Sequence, residues 1–145
     1  LLIHAYVKDG YTDESYAEKM FVPAKLRERG DIILARSSLG ELLGMIICVR
    51  PTSPSRQVAK ADEAEIHLLA VHHKARRQGI ASQLIVVCEQ RAFSFGYSKI
   101  VLSTQQTMGN AHHVYERLGY QRNPTRNWSR GNNKKFFVYE KSLQF

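Results

Sequence analysis

Residues Glu65 to Phe95 read EIHLLAVHHKARRQGIASQLIVVCEQRAFSF, and this stretch decides the fold. It opens as a buried strand, Glu65–Val71. Alternation there places Ile66, Leu68 and Ala70 on one face and Glu65, His67, Leu69 and Val71 on the other. A basic turn comes next, Arg76-Arg77-Gln78-Gly79-Ile80-Ala81. From Gly79 onward Ile80, Leu84, Val87, Cys88, Arg91 or Ala92, and Phe95 recur at steps of three or four, which predicts an amphipathic helix. A strand that feeds a glycine-bearing turn and then a helix can hold phosphate. The first helical amides lack intrahelical acceptors, and the helix dipole adds partial positive charge at the same place.

Downstream, Gly96 ends the helix and Lys99–Ser103 (KIVLS) is the next strand, so a parallel pair is expected across this crossover. Asn110 to Leu118 predicts a second helix closed by Gly119 at the position after its C-cap. Beyond Tyr120-Gln121-Arg122 comes a loop rich in Arg, Asn, Gly and Pro, then a strand over Phe136–Glu140. Upstream, Asp31–Arg36 and Glu41–Val49 flank Ser37-Ser38-Leu39-Gly40 and read as a hairpin. Arg50–Glu63 has no apolar period and is a loop, either functional or a plain connection. Helical spacing over Glu14–Arg29 carries Pro23 as a kink or second start and Gly30 as the stop. Leu1–Lys8 looks like the end of a helix, and Thr12 or Asp13 can cap the helix that begins at Glu14. Together these elements form an α/β domain, a mixed sheet carrying helices.

Composition narrows the function classes. The 145 residues suit one domain spanning 1–145, and 43% hydrophobic with 23% charged residues argues against disorder. No apolar run approaches the roughly 18–20 residues of a membrane span, and LLIHAYVKD has neither a charged leader nor a cleavage site. A cytoplasmic protein away from membranes is expected. Cys48 and Cys88 sit in apolar runs without CxxC spacing and are expected to be reduced thiols. The net charge of +8 fits a nucleic acid, an acidic surface or a polyanionic nucleotide. The basic residues form no stripe interleaved with aromatics, which counts against a nucleic-acid partner. The adjacent pairs His72-His73 and His112-His113 lack the partners of a zinc helix, so no metal is expected.

The order LLAVHHKARRQGIASQLI, then a strand, then NAHHVYERLGY resembles the GNAT superfamily of N-acetyltransferases. The family's pyrophosphate motif is Gln or Arg, two residues, Gly, one residue, then Gly or Ala. Arg76, Gly79 and Ala81 match its three fixed positions. The resemblance covers residues 31–140 firmly and the preceding helices loosely. His73 stands where many members have proline. Members also open with a strand that this chain does not show, so the first strand is expected to be trimmed off or replaced.

The resemblance implies a GNAT-type, mostly antiparallel sheet with a splayed central parallel pair, flanked by helices. It implies acetyl-CoA as co-substrate, with Arg76, Arg77, Gln78, Gly79, Ile80, Ala81 and Ser82 at the pyrophosphate. The main chain of Leu69 and Val71 would meet the pantetheine arm, and an amide near Leu69 or Ala70 would polarise the thioester carbonyl. Asn110 resembles the family's cofactor-contacting Asn, and it also suits an N-cap. Tyr115, five residues on, falls at the position of the usual general acid.

An aliphatic ammonium has a pKa of roughly 10, so a base is expected as well. Glu65 and His67 share a strand face at the position where one family member carries two catalytic histidines; either could serve, directly or through water. A small-molecule or peptide amine is expected as acceptor, and Asp62, Glu63 and Glu65 could offer a locally acidic mouth for a cationic one. A monomer or homodimer fits. An acyl-CoA-binding sensor without catalysis, or less well a basic nucleic-acid-binding domain, are the alternatives.

Overall fold

The computed structural model describes residues 1–2, 6, 14–50, 52–131 and 134–144. The cap expected at Thr12 or Asp13 lies outside them, and of Leu1–Lys8 only Leu1, Leu2 and Tyr6 are described. The helix read over Glu14–Arg29 is two: α1 (Glu14–Met20) and α2 (Pro23–Arg29). Pro23 forces the break, because the residue before a proline avoids helical backbone and Val22 is extended at φ −109°, ψ 149°. Gly30 stops α2 for a different reason than a left-handed cap, since it is the first residue of β1 (Gly30–Arg36). A Cβ there would lie 2.1 Å from the carbonyl oxygen of Cys48 across the strand pair.

β1 pairs antiparallel with β2 (Leu42–Val49) through the expected hairpin, whose Ser37 Oγ accepts the amides of Leu39 and Glu41. β2 then pairs antiparallel with β3 (Glu63–Val71). α3 (Ile80–Ser94) crosses to β4 (Lys99–Gln105), which is parallel to β3. α4 (Gly109–Arg117) and β5 (Gln121–Arg122) come after it. The polar tail read as loop contains a short strand, β6 (Trp128–Arg130), which hairpins onto β7 (Lys134–Ser142). The sheet runs β1-β2-β3-β4-β7-β5 with β6 on β7, and β3–β4 is its one parallel pair among the described residues.

β3 departs from simple alternation. Its register with β2 slips between Met45↔Ala70 and Ile47↔His67, and Leu68 takes φ 52°, a left-handed conformation that costs about 1 kcal/mol or more in a leucine. The extra residue reverses the facing downstream. Ile66, Leu69 and Val71 belong to the α3 side, with Ile46, Ile80, Leu84 and Ile85. Leu68 and Ala70 join Met45, Ile47 and Leu26 of α2 on the opposite side. Ile66 therefore does not share a face with Leu68 and Ala70.

The buried stripe of α3 also differs in part. Ile80, Leu84, Cys88 and Ala92 are inward as expected, joined by Ile85 and Glu89, while Val87 is partly exposed and Phe95 is 71% exposed. Glu89 tolerates burial because the Tyr120 hydroxyl donates to it at 2.8 Å and Lys141 Nζ at 3.2 Å. No helix among the described residues is long and apolar enough to cross a membrane, and Cys48 and Cys88 are unbridged.

Candidate active site

The parallel ladder between β3 and β4 is short. It runs Glu63↔Lys99, Ala64↔Ile100 and Glu65↔Val101, and then the strands diverge, although β3 continues to Val71 and β4 to Gln105. Backbone that leaves its partner opens a slot, and a cavity of about 570 Å³ occupies it. Residues 66–69 of β3 and 102–105 of β4 form its sides, with Tyr115, Arg29 and Tyr6 reaching in from the helical layers.

Glu65 is buried at the point of divergence, 2% exposed. Its carboxylate accepts the amides of Gln57 (3.0 Å), Val58 (3.0 Å) and Ala59 (2.8 Å), so the Arg50–Glu63 loop is folded onto it. It also accepts His67 Nε2–H. Burial alone would raise this carboxyl, but the hydrogen bond from His67 and the amides of Val58 and Gln57 together hold it below the usual carboxylate range. The other ring nitrogen, His67 Nδ1, lies 3.4 Å from Arg29 Nη1. A guanidinium only donates, so Nδ1 is the acceptor and the ring proton sits on Nε2, facing Glu65.

The acidic mouth anticipated from Asp62, Glu63 and Glu65 does not form. Glu63 takes a fork from Arg126, Nη2 to Oε1 at 2.8 Å and Nη1 to Oε2 at 3.0 Å, and the same arginine reaches Glu140 and the carbonyl of Val58. Asp62 is exposed and meets Ser98. None of the three lines the cavity; its described charged lining is Arg29, Arg130 and Lys134.

Tyr115 on α4 is 7% exposed, wedged against Tyr139 and Tyr120 with ring centroids 5.6 and 6.1 Å away. Burial, with a smaller push from Tyr139, raises its phenol well above the ordinary value, so it stays protonated at neutral pH. Asn110 falls in the first turn of α4, whose N-cap is Met108, so the N-cap role is excluded. The carbonyl of Leu69 accepts the Tyr6 hydroxyl at 2.8 Å.

On the α3 side, Arg76, Arg77, Gln78 and Gly79 are exposed, and Arg77 and Gly79 adopt φ 66° and 77°. The first intrahelical bond runs from Gln83 N–H to Gly79 O. The amides of Ile80, Ala81 and Ser82 thus have no acceptor within α3, which is the geometry an anion needs. A Cβ on Gly79 would meet nothing within 4 Å, so the glycine is there for its backbone angle. In chemistry, the open amides and the flanking arginines fit a phosphate group such as those of an acyl-CoA.

The sequence alone does not single out Arg29, Gln57 or Tyr6 as lining residues. Arg29 alone left a trace: three residues after the buried Leu26, it shares that residue's helix face.

The acetyltransferase (GNAT) family matches residues 2–120. No curated protein sequence matches the chain. Among solved structures, an acetyltransferase of the GNAT family from Staphylococcus aureus Mu50 superposes with a TM-score of 0.70 at 15% identity, covering 99% of this chain and 91% of that one. An acetyltransferase of Bacillus subtilis in complex with CoA gives 0.68 at 16% identity, covering 99% and 90%. An aminoglycoside 6′-N-acetyltransferase complexed with coenzyme A gives 0.66 at 20%, covering 99% and 88%. At such identities the likeness speaks for the fold, and the family follows from the match over most of the chain: the protein belongs to the GNAT family of acetyltransferases.

Proposed function

We propose that the protein transfers an acetyl group from acetyl-CoA directly to a primary amine, with both substrates bound at once. The observation that carries this reading is the parting of β3 and β4 after Glu65↔Val101. The cavity in this gap is lined by His67, Arg29 and Tyr115, while the open amides of α3 follow β3 in the chain.

Bound acetyl-CoA would supply an activated acyl carbon. Ile80, Ala81 and Ser82 donate amides to its pyrophosphate, while Arg76 and Arg77 add attraction. The strand backbone at Leu69–Val71 runs alongside the arm, and an amide of the bulge at Leu69 or Ala70 polarises the thioester carbonyl. His67, fixed by Glu65, takes the ammonium proton on Nδ1 directly or through water, so Glu65 acts as a positioning residue. The amine nitrogen then bonds to the acyl carbon, the C–S bond breaks, Tyr115 gives its proton to the departing thiolate, and the second proton shed by the acylated nitrogen returns to the Tyr115 oxygen, directly or through water.

Thiol release on mixing the protein with acetyl-CoA and a panel of primary amines tests the activity. Tyr115→Phe is expected to lower kcat about 100-fold while leaving acetyl-CoA affinity within about twofold. Acetyl-CoA binding without turnover of any amine would replace this reading by the sensor alternative, and an unchanged kcat would remove Tyr115 from the chemistry.

A further inference from the structure

We infer that the acceptor is a small amine that also carries a carboxylate, as an amino acid does, and that Arg29 binds that carboxylate. This rests on the acetyl-transfer reading only for the identity of the reacting partner. The observation is a buried guanidinium without a counter-charge among the described residues. Arg29 is 8% exposed, yet the one hydrogen-bond partner of its side chain among those residues is the His67 ring, at 3.4 Å. A guanidinium has five N–H donors, and an unpaired buried charge is costly. Elsewhere this fold meets that cost: Arg126 lies between Glu63 and Glu140, Glu89 receives Lys141, and Glu65 receives three amides. Arg29 faces a cavity whose described lining contains no aspartate or glutamate and adds two more cations, Arg130 and Lys134. Such a wall repels a polycation and attracts an anion.

The coenzyme's phosphates are a poor match for this charge. Arg29 ends α2, whose Leu26 packs with Met45, Ile47 and Ala70, whereas α3 and its phosphate turn pack on the other side with Ile46 and Ile66. The anion at Arg29 therefore enters from the acceptor side. One guanidinium fork matches one carboxylate in charge and in planar geometry. The aromatic neighbours Tyr6, Tyr16 and Phe21 supply an apolar surface for the rest of a small molecule. Placement is set as well. Arg29 Nη1 lies against His67 Nδ1, so a carboxylate drawn to the fork brings a nitrogen a few bonds away to the imidazole. Turning the guanidinium toward the carboxylate also releases Nδ1 to accept the ammonium proton.

The test uses matched sets on the wild-type protein: L-phenylalanine, phenylalaninamide and phenethylamine, and L-methionine, methioninamide and 3-(methylthio)propylamine. Each is offered with acetyl-CoA for thiol release, and titrated calorimetrically into the CoA-loaded protein. The free acid is expected to lead its set by about tenfold to 100-fold in kcat/KM and in Kd. Arg29→Gln should abolish the lead by raising KM for the acid alone, and Arg29→Lys should keep part of it. Equal or better performance of the amide or the decarboxylated amine overturns the inference, as does failure of every member to bind or react. A preference for succinyl-CoA over acetyl-CoA with neutral amines also overturns it, moving the anion to the acyl group. The two readings fail separately. Arg29-dependent binding of acids without thiol release refutes transfer and keeps this site, whereas turnover without preference for acids does the reverse.

Discussion

Glu65→Gln is the substitution for which the structure makes the sharpest demand. The native carboxylate accepts four donors: three amides of the 57–59 segment and His67 Nε2–H. A glutamine oxygen can replace Oε1 and keep Val58 and Ala59. Its NH2 then points at Gln57 N–H and at His67 Nε2–H, donor against donor. His67 cannot relieve this by shifting its proton to Nδ1, because Nδ1 already faces an Arg29 N–H. Removing one partner from a buried charged network costs about 3–5 kcal/mol, a large share of the roughly 5–15 kcal/mol that holds a domain together. Urea unfolding at pH 7 should show that loss, and limited proteolysis should find new cleavage in the 50–63 loop. The pH dependence supplies an internal check. The folded carboxyl of Glu65 is depressed, so its contribution is whole above the unfolded value of about 4.3 and disappears as pH falls through the lower folded value. The stability gap between wild type and variant should accordingly shrink on acidification. Glu63 is depressed too, but it is common to both proteins and cancels in the difference. A loss below about 1 kcal/mol at pH 7, or a gap that does not change with pH, would refute the network as described.

Two further substitutions separate binding from stability. Arg126→Met strips Glu63 and Glu140 of their shared cation and should cost about 3 kcal/mol or more in urea unfolding; Arg126→Lys should restore little, because an ammonium cannot fork one carboxylate while holding a second and the Val58 carbonyl. A loss of only a few tenths would reclassify the network as an ordinary surface pair. Gly79→Ala adds a Cβ with open space around it, so its cost of about 1–2 kcal/mol comes from φ 77° alone. Calorimetry should show weaker acetyl-CoA binding, and an unaltered Kd beside lowered stability would take the turn out of the coenzyme site.

The features legible in the sequence were local ones. The glycine turn before α3, the helix ending at Gly119 and the hairpin around Gly40 each depend on residues within a few positions of one another. What the sequence conceals is what distant chain decides. In Leu68-Leu69-Ala70 every residue is apolar, so a one-residue bulge leaves no trace in the pattern, yet it changes which of them meets α3. Asp62, Glu63 and Glu65 look like an acidic rim until Arg126, 63 residues from Glu63, and the 57–59 amides turn two of them inward. Arg29 reads as one more basic residue at a helix end. Only the tertiary fold, by setting it against His67 38 residues away, makes it a buried charge.

The bulge and the splay depend on each other. β3 must pair with β4 near its start to anchor Glu63 and Glu65 in the sheet, and must leave β4 further on to make room between them. A strand that simply diverged would keep its alternation and direct Leu69 toward α2, away from the core shared with α3. The extra residue at Leu68 turns Leu69 and Val71 to the α3 side while leaving His67 on the side of Arg29. One strand can in this way serve two ligands from opposite faces. In the proposed reaction the coenzyme meets the segment after the bulge and the amine meets the segment before it, so the acyl carbon and the nitrogen come together at the irregularity itself. Gly44 shows how tightly this arrangement is packed. Its missing side chain would lie 3.0 Å from the carbonyl of Ala70 and 3.1–3.2 Å from Ile80 and Leu84 at the start of α3. A Cβ there would require these neighbours to give by a few tenths of an ångström, so the start of α3 is held closely against the strand that pairs with the bulge.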